Sequence, residues 1–194
     1  MRKDYELIVD LIPEKSKVLD LGCGNGELLV LLREKKEIKG KGIEIDGERV
    51  SESIAKGISV YQGDMEEVLL EYPDKSYDYI IISQTLQEIR NPELVITHSL
   101  RVARFVIVSL PNFGYWKIRF YILYKGRVPS LGTFNYNWYK TPDVHPLSIK
   151  DFEDYCRTKN IKIEKTFYLA GDRIIGLCPN LFATSGLYVI TQSS

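Results

Sequence analysis

Val18-Leu19-Asp20-Leu21-Gly22-Cys23-Gly24-Asn25-Gly26 is the stretch from which the rest of this chain is read. A short apolar run ends in glycines, and Glu27 to Lys35 follows with the apolar spacing and charged end of a helix. A buried strand that turns tightly into a helix is the first half of a βαβ unit. The pattern then repeats. Gly40 to Ile45 reads as a second strand with Glu48 to Lys56 as its helix, and Ile58 to Tyr61 as a third strand with Met65 to Glu71 after it. Tyr77 to Ser83 (YDYIIIS) is an apolar, β-branched fourth strand. Asn91-Pro92 opens a helix running through Arg101, and Arg104 to Leu110 is a fifth strand. After Pro111 the pattern breaks, and it resumes at Ser148-Ile149-Lys150-Asp151, a capping-box spacing that starts a helix through Thr158. Ile161 to Leu169 and Gly186 to Gln192 supply two more strands. The expectation is an α/β fold: a doubly wound, seven-stranded, mostly parallel sheet in a single domain, residues 1–194, with residues 113–147 as an insertion after the fifth strand.

Composition narrows the function. The chain carries 26 Lys plus Arg against 26 Asp plus Glu, a formal net charge of zero. Such a balance supplies no whole-molecule field to draw in nucleic acid or an anionic membrane. Cys23, Cys156 and Cys178 are far apart and form no CxxC pair or Cys/His cluster, so neither a disulfide framework nor a metal site is indicated. The opening MRKDYELIVDLIPEK has charges inside any would-be apolar core and is no secretory signal. No apolar run approaches the roughly 18 residues of a membrane span. The expectation is a soluble, cytoplasmic protein without metal, membrane or nucleic-acid partner.

Glycines at a strand-to-helix turn let a ligand approach the backbone, and the N–H groups of the helix point at it. A dinucleotide site wants G-x-G-x-x-G/A here, but the third position counted from Gly22 and Gly24 is Glu27, whose carboxylate repels a pyrophosphate. The third glycine comes early, at Gly26, with Asp20 just ahead of the loop. That arrangement resembles motif I of class I S-adenosylmethionine (SAM)-dependent methyltransferases, a Rossmann-like fold. The resemblance implies SAM or S-adenosylhomocysteine as ligand, its zwitterionic methionine portion over Gly22, Gly24 and Gly26. Asp20 suits the ammonium, directly or through water. Glu44, 22 residues after Gly22 and at the end of the second strand, can accept from both ribose hydroxyls. Asp46 is the runner-up for that role, or the cap of the next helix. In Gly63-Asp64-Met65, Asp64 stands where this class often places an acid for the adenine amino group; the alternative is a helix N-cap.

Chemistry is expected after the fourth strand, in Ser83-Gln84-Thr85-Leu86-Gln87-Glu88. The [N/D]-P-P-[Y/F/W] segment of amide and adenine N-methyltransferases is absent there, as is a Pro-Cys nucleophile. Methyl transfer can proceed by proximity and desolvation alone, so this identifies no general base without excluding an enzyme. Ser83 and Gln84 line the cofactor pocket with polar contacts or simply end the strand. Of the two histidines, His98 falls inside a helix facing solvent. His145, in the loop Thr141-Pro142-Asp143-Val144-His145-Pro146, is the one neutral-pH base candidate, against a structural loop role.

Residues 113 to 139 are dense in aromatics: Phe113, Tyr115, Trp116, Phe120, Tyr121, Tyr124, Phe134, Tyr136, Trp138 and Tyr139. No acid occurs from 113 to 142, while Lys117, Arg119, Lys125, Arg127 and Lys140 are basic. Trp116, Phe120, Leu123 and Tyr124 share one helical face. Such a helix serves as a lid packed on its own domain, as a partner interface, or as a membrane or single-strand nucleic-acid platform. The strings Ser83-Gln84-Thr85-Leu86-Gln87, Val108 to Lys117, Trp138-Tyr139-x-Thr141-Pro142-x-x-His145, Ile149-Lys150-Asp151-Phe152 and Pro179-Asn180-Leu181-Phe182-Ala183 resemble the bacterial methionine biosynthesis family MetW. The likeness runs from about Val18 to Ile190, with Leu110 standing where an aromatic is expected. It implies a role in methionine biosynthesis together with homoserine O-acyltransferase, on a methyltransferase fold whose methyl-transfer activity and substrate are not established. The alternative is a SAM-dependent methyltransferase of an unidentified small molecule.

Overall fold

The computed structural model describes residues 2–128 and 145–193. Within them, a helix α1 (Lys3–Leu11) precedes the first βαβ unit, β1 (Lys17–Leu21) with α2 (Glu27–Lys36). Then come β2 (Lys39–Glu44), α3 (Gly47–Ala55), β3 (Ser59–Gln62), α4 (Met65–Glu71), β4 (Tyr77–Ser83), a 3-10 turn at Leu86–Glu88, α5 (Pro92–Val102) and β5 (Ala103–Pro111). After β5 stands α6 (Trp116–Lys125), and the remainder is α7 (Ile149–Thr158), β6 (Ile161–Ala170), β7 (Arg173–Ile174), α8 (Pro179–Phe182) and β8 (Ser185–Gln192). The strands form one sheet in the order β3-β2-β1-β4-β5-β8-β6-β7. β1 to β5 pair in parallel, and β8 inserts antiparallel between β5 and β6.

Alternate strand residues serve opposite faces, because successive side chains of a strand point to opposite sides. Leu19, Leu21, Ile80, Ile82, Val106 and Val108 pack with α4, α5 and α7 through Leu69, Val95, Val102 and Phe152. Val18, Ile81, Ile107 and Leu187 pack with α1 and α2 through Ile8, Ile12, Leu28 and Leu32. Helices on both faces explain why β4 and β5 read as continuous apolar runs instead of alternating ones. Caps fix where helices begin. Asn91 Oδ1 accepts from Leu94 N–H at 3.2 Å with Pro92 in the first helical turn, and Ser148 and Asp151 form both bonds of a capping box. Among the described residues no helix is long and apolar enough to cross a membrane.

Elements that the sequence expectation did not supply include β7, α1 and the short α8. The sheet has eight strands instead of seven, because Gly171-Asp172 makes a tight turn after β6 and two residues, Arg173 and Ile174, pair back as β7. The segment read only as a non-signal N-terminus is α1, whose Ile8, Val9 and following Ile12 are buried against α2 and the sheet. Of the expected aromatic segment, Phe134, Tyr136, Trp138, Tyr139, Lys140, Thr141 and Pro142 lie outside the described residues.

The ends of segment 113–147 meet, since Phe113 N–H donates to Leu147 O at 3.1 Å. Beside this neck, the buried Asn112 side chain acts as a clasp. Its Nδ2 donates to Asn180 O at 3.1 Å and Ala183 O at 2.8 Å, and its Oδ1 accepts from Gly114 N–H at 2.9 Å and Ile149 N–H at 3.3 Å. Four backbone groups from three parts of the chain thus depend on one amide. Asn112→Ala is expected to lower stability by about 2–4 kcal/mol in urea unfolding, because buried backbone groups lose their partners. A loss below about 1 kcal/mol would contradict the clasp.

Candidate functional site

The carboxyl ends of β1 to β4 open on one cavity of about 1060 Å³. The turn after β1 forms its floor. Gly22, Gly24 and Gly26 have φ of +72°, +56° and +75°, a region that L side chains rarely adopt. A Cβ at Gly22 would stand 2.7 Å from Thr85 Cγ2, and one at Gly26 would stand 2.8 Å from Ser53 Oγ. At Gly24 a Cβ would meet nothing within 4 Å. Gly22 and Gly26 are therefore glycines for packing, while Gly24 leaves its space to the cavity.

Glu44 ends β2 as a buried carboxylate. Its Oε2 accepts from Gly24 N–H at 2.8 Å, and its Oε1 from Ile45 N–H at 2.9 Å and Asp46 N–H at 3.0 Å. Asp46 caps α3, its Oδ1 accepting from Glu48 and Arg49 N–H. Asp64 caps α4 through Oδ1 and Glu66 N–H at 2.9 Å, leaving its Oδ2 uncommitted to the cap. Ser83 and Gln84 end β4 and meet Ser109 Oγ, each at 3.2 Å. Gln84 is held at φ +57°, a strained conformation for a non-glycine residue, by its N–H bond to Ser109 O at 2.9 Å.

Of the expected residues, the structure brings Gly22, Gly24, Glu44, Asp64, Ser83 and Gln84 to the wall of this cavity. Asp20 and Gly26 stand behind it. Asp20 is buried in β1, and among the described residues no hydrogen bond reaches its carboxyl. Burial, with the charge of Glu44 adding to it, pushes its pKa up to about 7. His145 is not on the wall either. Its N–H donates to Gln87 O at 3.0 Å and its Nε2 faces Arg90 O at 3.3 Å, which makes it a loop fastener. His98 accepts from Arg101 Nε through Nδ1 at 3.2 Å on α5. Burial pushes the Cys23 thiol up to about 12, so it stays protonated and is no nucleophile.

Sequence reading missed one wall entirely, since Arg2, Lys3, Asp4 and Tyr5 of the α1 end line the cavity. The Arg2 guanidinium lies 4.4 Å over the Tyr5 ring, and burial pushes the Tyr5 hydroxyl up to about 12. The signal was present as Tyr5, Ile8, Val9 and Ile12, a helical spacing within the opening residues. Gln87 also lines the cavity. Its Nε2 donates to Gln84 O at 2.7 Å, which leaves the buried Oε1 without a partner among the described residues. Among the described residues no cluster of three or more His, Cys, Asp or Glu could hold a metal ion. The site offers backbone N–H groups, acidic acceptors and four basic side chains, Arg2, Lys3, Arg49 and Arg90. Such a set can bind and orient a polar ligand, and among the described residues it supplies no evident base.

Asp20 makes stability depend on pH. Between its usual value of 3.8 and the folded value of about 7, the native state holds a proton that the unfolded chain has lost. Its contribution is full below pH 3.8 and is lost as pH rises through about 7. Asp20→Asn is expected to gain on the wild type as pH rises across that window, by at most roughly 1.4 kcal/mol per pH unit, in paired urea unfolding curves. A difference that stays constant with pH would contradict a buried, unpartnered carboxyl.

Over residues 2–190 the chain matches the family described as "Methionine biosynthesis protein MetW". It is 34% identical over 174 residues to the bifunctional methionine biosynthesis protein MetXA/MetW of Rhodopirellula baltica, covering 85% of this chain and 28% of that protein. The chain therefore spans just over a quarter of that relative's length. To the demethylmenaquinone methyltransferase of Listeria monocytogenes it is 24% identical over 173 residues, covering 80% of this chain and 71% of the other. Among solved structures, a chain of the complex between the Haloferax volcanii Trm112 methyltransferase activator and a putative methyltransferase matches with a TM-score of 0.72 at 16% identity, covering 99% of this chain and 90% of that one. A SAM-dependent methyltransferase of Thermotoga maritima, described as a possible histamine N-methyltransferase, matches with a TM-score of 0.69 at 19% identity, covering 98% and 88%. These likenesses show the fold. With it and the match along nearly its whole length, this chain belongs to the MetW family of methionine biosynthesis proteins and has the class I methyltransferase architecture.

Proposed function

We propose that this chain binds S-adenosyl-L-methionine in the cavity at the carboxyl edge of its sheet, and that it serves methionine biosynthesis beside a homoserine O-acyltransferase. One observation carries the ligand reading: Gly22, Gly24, Glu44, Asp64, Ser83 and Gln84, scattered over four βα turns, line the same cavity. The donor set fits the ligand. Gly24 leaves open space for a close backbone approach, and the buried Asp20 carboxyl has no cationic partner among the described residues, a charge that the ligand's ammonium supplies nearby. Glu44 already accepts three backbone N–H groups, so about one lone-pair direction remains for a ribose hydroxyl. Asp46 Oδ2, at the same strand end, is the natural acceptor for the other, and Asp64 Oδ2 for the adenine amino group. The pathway reading follows the family, and the partner follows the fused relative, which joins MetXA and MetW portions in one polypeptide.

A second reading, methylation of a small molecule, draws support from Gln87. An unpaired buried amide oxygen costs about 1–3 kcal/mol, which an N–H or O–H donor on a second ligand beside SAM would relieve. That reading predicts turnover of SAM to S-adenosylhomocysteine in cell extract, and no product from any metabolite pool would remove its support.

Calorimetric titration with SAM and with S-adenosylhomocysteine tests the first reading, wild type beside Gly24→Ala. Beyond its chain neighbours the added methyl meets no atom of the described residues within 4 Å, at a backbone cost of about 1–2 kcal/mol for the left-handed conformation. Binding by the wild type that weakens at least tenfold in the variant is expected. A wild type that binds neither compound would overturn the ligand reading.

A further inference from the structure

Helix α6 presents a surface that the cavity does not use. A lid would have to face the cavity, yet no described residue from 113 to 128 lines it, and the β5 side of the wall stops at Pro111. Ile118 is the buried residue of α6. Trp116, Phe120 and Tyr124 form a ladder along one side, the first pair edge-to-face and the second stacked, with successive ring centroids 6.0 and 5.8 Å apart. Leu123 and Tyr124 are 72% and 76% exposed, and none of the described residues covers them. A helix of 10 residues is too short to be stable in water by itself, and a contiguous apolar stripe on it marks an interaction face. The helix is nonetheless fixed in place. Arg119 donates from Nε to Gly114 O at 2.5 Å and from Nη2 to Asn180 O at 3.4 Å, beside the Asn112 clasp. Its charge has one sign: Lys117, Arg119, Lys125 and Arg127, with no acid between 113 and 128.

Resting on the reading that this chain works beside an acyltransferase, we propose that α6 is the face on which that enzyme docks. In the Rhodopirellula relative the MetXA and MetW portions share one polypeptide, of which this chain spans 28%. Portions that work together in this way need a surface on which they meet. Aromatic anchors with an arginine among them have the composition of interface hot spots. A rim of lysine and arginine without acids selects a partner groove that is apolar at its centre and acidic at its edge, and it speeds encounter at low salt. The cavity stays open to its own ligand while the helix is engaged.

The test pairs the purified chain with the purified homoserine O-acyltransferase of the same organism in sedimentation velocity at low and moderate salt. The variant is Leu123→Glu with Tyr124→Glu, both exposed, with thermal unfolding and SAM titration confirming an intact fold and cavity. The expected result is a wild-type complex that weakens with salt, and at least a tenfold loss of affinity in the variant with SAM binding unchanged. Equal affinity in wild type and variant would overturn the docking face while leaving the partner reading intact. So would a variant that loses only self-association, which would assign the face to a second copy of this chain. Loss of binding to phosphatidylglycerol vesicles alone would assign it to a membrane surface and overturn the proposal likewise. A wild type that binds no acyltransferase would defeat the partner reading, and the docking face with it.

Discussion

Glu44 accepts N–H groups from Gly24, Ile45 and Asp46, so one carboxylate at the end of β2 fixes the turn that leaves β1. Much of the site follows from that brace. It holds the glycine turn at positive φ, which places Gly22 against Thr85 and leaves open space at Gly24. It also sets a negative charge beside Asp20, which has no hydrogen bond to its carboxyl among the described residues and is pushed toward the neutral form. The same oxygens belong to the group that the sequence nominates for ligand binding. Bracing and the proposed recognition therefore compete for the lone pairs of one side chain, and a ligand bound there would have to share them.

The parallel half of the sheet was legible because its physics is local. Continuous apolar runs, glycines at the first turn, Asn91-Pro92 and the Ser148–Asp151 capping box each announce an element within a few residues of sequence. β7 was not legible, because two residues carry no period. α1 carried a period of Tyr5, Ile8, Val9 and Ile12, but the charged opening drew attention to its unsuitability as a signal and away from its amphipathic face. At the site, the wall residues from the strand ends were readable from spacing. Asp46 and Asp64 as helix caps, and His145 as a loop fastener, were readable only as alternatives, because a carboxylate or imidazole at a turn has the same sequence signature in either role. The contribution of Arg2 to Tyr5 required the packing of α1 beside β1, a contact that no sequence spacing records.

Two features lie apart in the molecule. The carboxyl edge of β1 to β4 holds a polar cavity with acidic acceptors and no histidine on its wall, and the buried Asp20 carboxyl stands behind it. After β5, the chain leaves through a neck tied by Phe113 and Leu147 and clasped by Asn112, and presents α6 with its aromatic ladder away from that cavity.

The central claim is that the strand-end cavity is the SAM site, and its location is directly observable. In an amide chemical-shift titration of the isotopically labelled chain with S-adenosylhomocysteine, the account predicts the largest changes at Gly22 to Asn25, Glu44 to Asp46, Gly63 to Met65 and Ser83 to Thr85, with α6 little affected. Saturable changes centred elsewhere, or none at ligand excess, would contradict it.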